Sequence, residues 1–254
     1  MTKDYYFKIN RKKIGLNYPT YFIADIAANH DGNFQKAIDL INLAKENGAD
    51  AAKFQHFNAD TIVSKQTFES MNSKLSHQKS WKKSVYEVYK DASLKLEWTE
   101  KLKKACDRIE LDFFTAPYSL DLINFVNKYI CAYKIGSGDI SFIEAVRLMA
   151  KKKKPIILAT GASSQLDVNR AVKEIKKYNK KICIMQCNTN YTADKNNLKY
   201  INLNVLKTYK KKYPFAVMGL SDHTHGCSSV LGAVTLGARM VEKHFTISNK
   251  YKGP

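Results

Sequence analysis

The chain has 254 residues, 44% apolar and 26% charged, with 42 Lys+Arg against 23 Asp+Glu and a formal net charge of +19. That composition excludes intrinsic disorder, because Leu, Ile, Val and Phe are plentiful enough to bury a core. No apolar run reaches the roughly 18–20 residues that span a bilayer, and the start MTKDYYFKINRKKIG has no apolar h-region, so neither a membrane span nor a signal peptide is expected.

In chain order, Tyr21–Ala27 reads as a strand. Asn33–Asn47 follows, with Ala37, Ile38, Ile41 and Ala44 at helical spacing and Gly48 as the stop. Ala51–Phe57 is the second strand, and residues 58–94 are polar, irregular and long for a connection. Next come the helix Leu96–Ile109, the strand Asp112–Pro117, the helix Leu120–Lys128 and the strand Cys131–Gly136. The helix Phe142–Lys151 leads to the strand Pro155–Thr160 and the helix Leu166–Tyr178. Lys181–Cys187, Leu198–Lys211, Phe215–Leu220, Ser228–Gly237 and Arg239–Phe245 complete an alternation of eight strands with seven helices. Such alternation implies βαβ units and a parallel sheet, and the near-continuous apolar strands imply burial on both faces. Eight units point to one α/β (β/α)8 TIM barrel over residues 1–254, truncated after strand eight. No GxGxxG follows the first strand, which argues against a dinucleotide-binding sheet.

The five cysteines, Cys106, Cys131, Cys183, Cys187 and Cys227, are odd in number and form no CxxC, so reduced thiols in the cytoplasm are expected. The excess charge invites a nucleic-acid reading, but the only arginines are Arg11, Arg108, Arg147, Arg170 and Arg239. Arg is the usual residue for bidentate phosphate and base contacts. The lysines run in short blocks near helix ends, as on a solvated surface. No nucleic-acid or membrane partner is expected.

In a TIM barrel the chemistry sits at the C-terminal ends of the strands. There the sequence places Asp25 and His30, then Lys53, Gln55 and His56, then Thr115. Lys134, Ser137 and Asp139 follow, then Thr160, Asn188–Tyr191, Ser221–Thr224 and Glu242–His244. One such residue alone reads as a helix cap or a satisfied core polar group; all on one rim read as a site. A lysine inside an apolar strand is costly unless it meets an anion. Lys53 and Lys134, with Ser137, Thr115 and Gly-rich turns, therefore suggest a phosphate or carboxylate site. His223 and His244 end adjacent strands, which lie about 4.8 Å apart. Either they share a divalent metal, or they are two hydrogen-bonded core histidines.

The segments FIADIAANHDG, GADAAKFQHF, FFTAPYS, YKIGSGDI, ILATGAS, QCNTNY, GLSDHTHG and GARMVEKHFT, over residues 21 to 254, together resemble the sialic acid (nonulosonic acid) synthase family. That resemblance implies condensation of phosphoenolpyruvate with an N-acetylated aldose. It assigns phosphoenolpyruvate binding to Lys53, Thr115, Lys134, Ser137 and Asn190, with Ser221 beside them. It assigns Mn²⁺ or Mg²⁺ to His223 and His244, and sugar contact to Tyr191. Asp25 and Asp139 match catalytic positions that are commonly Glu, and Ala159 stands where members have Ser. An Asp carboxylate is drawn back by about one C–C bond, ~1.5 Å. Family members continue into an eighth helix and an antifreeze-like domain and form homodimers, so the sequence reads as the catalytic barrel alone. The acceptor is left open among N-acetylmannosamine, a diacetamido-trideoxyhexose and the pseudaminic precursor. Segment 58–94, with His77, Trp81, Tyr86 and Tyr89, is expected over it. Rival readings are a synthase acting on another aldehyde, such as a sugar phosphate, an impaired truncated member, and a basic nucleic-acid-binding protein.

Overall fold

The computed structural model describes residues 5–70, 81–191 and 195–248. The chain opens on an antiparallel hairpin, β1 (Tyr6–Ile9) and β2 (Lys12–Gly15), that the composition of the first residues did not suggest. Its alternate residues Phe7, Ile9 and Ile14 are buried against the barrel.

Eight parallel strands then close on themselves: β3 (Tyr21–Ala27), β4 (Ala51–His56), β5 (Asp112–Pro117), β6 (Tyr133–Ile135), β7 (Ile156–Ala159), β8 (Ile182–Cys187), β9 (Val217–Asp222) and β10 (Met240–His244). β10 pairs with both β9 and β3, which completes the ring and confirms the (β/α)8 expectation. The hairpin covers the end where the strands begin. Lys12 pairs with Asp50, Asn10 donates to Asp112, and the Tyr5 hydroxyl reaches the Lys180 carbonyl.

The covering helices are α1 (Phe34–Glu46), α5 (Thr99–Arg108), α6 (Leu120–Val126), α7 (Ile143–Lys151), α8 (Gln165–Tyr178), α9 (Val205–Lys212) and α10 (Ser228–Thr235). Local chemistry sets their ends. Asn33 caps α1 by accepting the Lys36 N–H at 3.0 Å, and Gly48 follows its last turn with φ +80°. Ser164 and Asp167 form a reciprocal capping box on α8. The buried faces of α1 (Ala37, Leu40, Ile41, Ala44) and α8 (Val168, Ala171, Val172, Ile175) keep the helical period.

Two expected stretches differ. The irregular segment 58–94 carries short helices α2 (Ala59–Ile62), α3 (Lys65–Ser70) and α4 (Val85–Ala92), the last with a Ser84–Glu87 capping box; His77 lies outside the described residues. The helix expected at Leu198–Lys211 is a 3-10 turn, Lys195–Tyr200, followed by α9. Asn202 and Asn204 between them take up backbone bonds in a turn before α9 begins.

Side chains alternate along a strand, and register partners in a parallel pair share a face. Asp25 is opposite Lys53, Lys53 opposite Phe114, Lys134 opposite Ile157, and Glu242 opposite Ser221 and Ile23. These residues point into the barrel. Their strand neighbours Phe54, Phe113 and Tyr133 point to the helices, where the Tyr133 hydroxyl donates to the Ile123 carbonyl of α6 at 3.0 Å.

Candidate active site at the barrel mouth

Two lysines and two carboxylates meet inside the ring, all at most 4% exposed. Lys53 Nζ lies 2.7 Å from Asp25 Oδ2 and 3.0 Å from Glu242 Oε1. Lys134 Nζ lies 3.2 Å from the same Glu242 oxygen, and the Ser221 hydroxyl donates to it at 3.4 Å. Burial alone would lower the Lys53 pKa, but Asp25 and Glu242 outweigh it and hold the ammonium well above its ordinary value. Burial likewise would raise the Glu242 pKa, and Lys134 and Lys53 reverse that and keep it low. The four formal charges cancel, which is the condition for charge at this depth. Asp25 Oδ1 and Glu242 Oε2 stay buried without a partner among the described residues.

Above this cluster sit the histidines. The His223 and His244 rings are 5.2 Å apart, with Tyr191 4.4 Å from the first and 5.9 Å from the second. The His223 Nδ1–H donates to the Asn188 carbonyl at 2.7 Å, which leaves the Nε2 lone pair for a ligand. Burial and the neighbouring His244 push His223 down to about 3, so it is neutral. His244 Nε2 is 3.7 Å from Asp25 Oδ2. Two imidazoles, one held by a backbone carbonyl, beside a carboxylate fit a divalent cation that takes its remaining ligands from oxygen. No group of three or more His, Cys, Asp or Glu is gathered tightly enough to hold a metal alone among the described residues.

The turn after β6 brings Ser137 and Asp139 to the same mouth. The Ser137 hydroxyl accepts the Gly161 N–H at 3.0 Å. Gly161 is needed there: a Cβ would lie 2.8 Å from the Thr189 methyl and 3.0 Å from Ser137 Oγ. Burial raises the Asp139 pKa to about 6, against the lowering pull of Lys134. Asn190, on the loop after β8, donates from Nδ2 to Asn197 Oδ1 at 2.7 Å.

Thr115 departs from its expected place. Register pairs it with Phe54, not with Lys53, so it faces the helices. Its hydroxyl donates to the Phe54 carbonyl at 2.8 Å and accepts from His56 Nδ1 at 2.8 Å, while His56 Nε2 takes the Thr99 hydroxyl at 2.8 Å. The inward position on that strand end belongs to Ala116, the partner of Gln55. Asp222 closes a local turn: it accepts the Thr224 N–H at 3.1 Å and hydroxyl at 2.8 Å and pairs with Lys243. Glu242 is the residue that sequence reasoning noted on the rim but gave no role. Its signal was available: two lysines in apolar strands need a counter-charge, and Glu242 stands two residues before His244, on the same face.

N,N'-diacetyllegionaminic acid synthase of Legionella pneumophila is 32% identical, over 97% of this chain and 70% of that protein. Pseudaminic acid synthase of Campylobacter jejuni is 31% identical, over 89% of this chain and 65% of its own length. The chain thus spans about two thirds of the length of the curated relatives it matches. Among solved structures, an N-acetylneuraminic acid synthetase from Leptospira borgpetersenii in complex with citrate superposes with a TM-score of 0.84 at 26% identity, covering 96% of this chain and 79% of that one. The NeuB family model matches residues 40–254, and the chain belongs to the NeuB family.

Proposed function

We propose that the protein condenses phosphoenolpyruvate with an N-acetylated aldose and water to give a nonulosonic acid and phosphate. The observation that carries this reading is the pair of buried lysines sharing Glu242 at the mouth, beneath two histidines. Lys53 and Lys134 bind the phosphate and carboxylate of phosphoenolpyruvate, with Ser137 and Ser221 as hydroxyl partners and Asn190 on the loop above. Asp25 and Glu242 keep Lys53 charged, and Glu242 engages Lys134, until the substrate anion takes over part of that role.

His223 and His244 would hold the divalent cation, Mn²⁺ or Mg²⁺, which supplies Lewis-acid polarisation of the acceptor carbonyl. Asp25 Oδ1, buried and unpartnered among the described residues, is the acceptor that orients the attacking water. Asp139, with its raised pKa, holds or yields a proton beside the acceptor near neutral pH. Tyr191, 51% exposed over the two imidazoles, forms a wall for the sugar. Holding both substrates on one rim supplies the entropic part of catalysis. The five cysteines are unpaired, which supports action in the reducing cytoplasm. The family resemblance adds a homodimer as the working form.

Phosphate release from phosphoenolpyruvate tests this, with Mn²⁺, a panel of acetamido sugars, their phosphates, and an EDTA control. Release that depends on both metal and an acetamido sugar is expected. Folded protein that binds phosphoenolpyruvate yet releases no phosphate with any sugar overturns the reading. Release only with a sugar phosphate transfers it to the rival acceptor class.

A further inference from the structure

Against the expectation of no membrane partner, which rests on the lack of a spanning segment, we propose that the barrel end opposite the mouth is a docking face for an anionic lipid bilayer, contacted peripherally through lysines. The inference is independent of the chemistry proposed above. In a parallel barrel each helix runs against the strands, so helix C-termini gather where the strands begin. The cations follow them. Lys45 lies in the last turn of α1, Arg108 of α5, Lys151 of α7, Lys176 and Lys177 of α8, and Lys210 to Lys212 of α9. The connections into β7 and β8 add Lys152 to Lys154 and Lys180-Lys181. The hairpin, tied across the same end, adds exposed Lys8, Arg11 and Lys13. The first turns of α5, α6, α7 and α8, at the mouth end, hold acids, Glu100, Asp121, Glu144 and Asp167, while those of α1, α9 and α10 hold none. The basal end carries acids as well, Glu46, Asp107 and Glu110 among the exposed ones, but Lys and Arg outnumber them there.

Aromatic rings lie under several of these lysines. Lys13 sits 5.7 Å from the Tyr6 ring and 5.3 Å from the Tyr18 ring, Lys151 5.4 Å from Tyr178, and Lys176 3.8 Å from Phe215. A cleft of about 480 Å³ between α8 and α9 is lined by Lys173, Lys176, Lys177 and Lys212 with Tyr213 and Phe215. Glu174 is the nearby acid, and Arg147 and Lys177 occupy its two oxygens. Lys173, Lys176 and Lys212 have no carboxylate in ion-pair range among the described residues. Lysine ammonium groups over amphipathic rings suit a layer of anionic headgroups, where phenols settle at headgroup level. Nucleic acid is less well served, because the arginine forks that read phosphate and bases are scarce. No described helix is long and apolar enough to cross a membrane, so contact is from one side.

Co-sedimentation of the full chain with vesicles is the test. Phosphatidylglycerol–phosphatidylcholine vesicles should pull down the protein at low salt and release it at high salt; pure phosphatidylcholine should not bind it. Each lysine near the surface contributes about fivefold to partitioning. The triple variant Lys173→Glu, Lys176→Glu, Lys212→Glu should lower the partition coefficient by about 100-fold or more. Reversal of Lys65, Lys82 and Lys90 at the mouth end should change it by less than about threefold. Circular dichroism melts check that the variants fold; if they do not, the lipid and salt dependence of the unaltered chain decides alone. Three results overturn the proposal: no binding to anionic vesicles at low salt, equal weakening by both triple variants, or an oligonucleotide that displaces the vesicles and loses affinity in the first variant.

Discussion

Glu242 is the hub of the buried cluster, because one of its oxygens serves both lysines and the Ser221 hydroxyl. Glu242→Gln keeps the shape and removes the charge, leaving Lys53 and Lys134 with Asp25 as the remaining carboxylate of the cluster. Loss of one member of a buried ionic group costs about 3–5 kcal/mol. Urea denaturation should show a loss of that order, and an unchanged midpoint would falsify the central role given to this carboxylate. Asp139→Asn bears on the rim. An ionisation near pH 6 should disappear from the pH profile of turnover while the fold persists. The histidines make a stability prediction whose sign is fixed. Burial pushes His30 and His56 down to about 4, and His223 goes to about 3, all below the ordinary 6.5. Between about pH 6.5 and 4.5 the unfolded chain binds protons that the folded chain refuses, so stability falls as pH falls. Asp139, raised to about 6, acts in the opposite direction over part of that window, one group against three. Glu242, held low by the lysines, contributes stability above the ordinary Glu value, and that part is lost only in stronger acid. Urea midpoints at several pH values, repeated with His56→Gln, should show a shallower slope in the variant.

Strand parity decides which side chains enter the ring and which meet the helices. Lys53 and Phe54 stand next to each other in β4, yet one joins the ionic cluster and the other the helix layer. Thr115 falls on the Phe54 side, so Thr115→Val should leave phosphoenolpyruvate affinity unchanged. Stability should drop by about 1–3 kcal/mol, because the His56 Nδ1–H loses its acceptor in a dry site. Weakened substrate binding with normal stability would return the hydroxyl to the mouth. This was the point least legible in the sequence. The run FFTAP is apolar on both faces, so alternation gives no phase, and the phase came only from register with β4. Most of the fold was legible, since Gly, Asn and Ser stops separate strands from amphipathic helices at nearly every junction. Lys53, Lys134 and the histidine pair were legible because polar groups in apolar strands demand partners. The lead hairpin was not: four-residue strands of mixed lysine and tyrosine give no periodicity, and their stability comes from docking. Ile9 and Ile14, each 1% exposed, carry that docking, and either one changed to Ala should cost about 2–5 kcal/mol in chemical denaturation.

Viewed whole, the molecule has two unlike ends, a neutralised ionic cluster under imidazoles at one and a lysine field at the other. The ring that separates them is closed by the pairing of β10, from the last part of the chain, with β3 near its start, Met240 opposite Tyr21 through His244 opposite Asp25. That same seam brings Glu242 to Lys53, 189 positions apart in sequence. During synthesis the first seven barrel strands emerge with two open edges, and Lys53 and Lys134 have only Asp25 as a cluster carboxylate until the last strand arrives. The strand that closes the ring is thus also the one that completes the ionic cluster. A chain stalled before Met240 should expose two unpaired strand edges and leave Lys53 and Lys134 without Glu242.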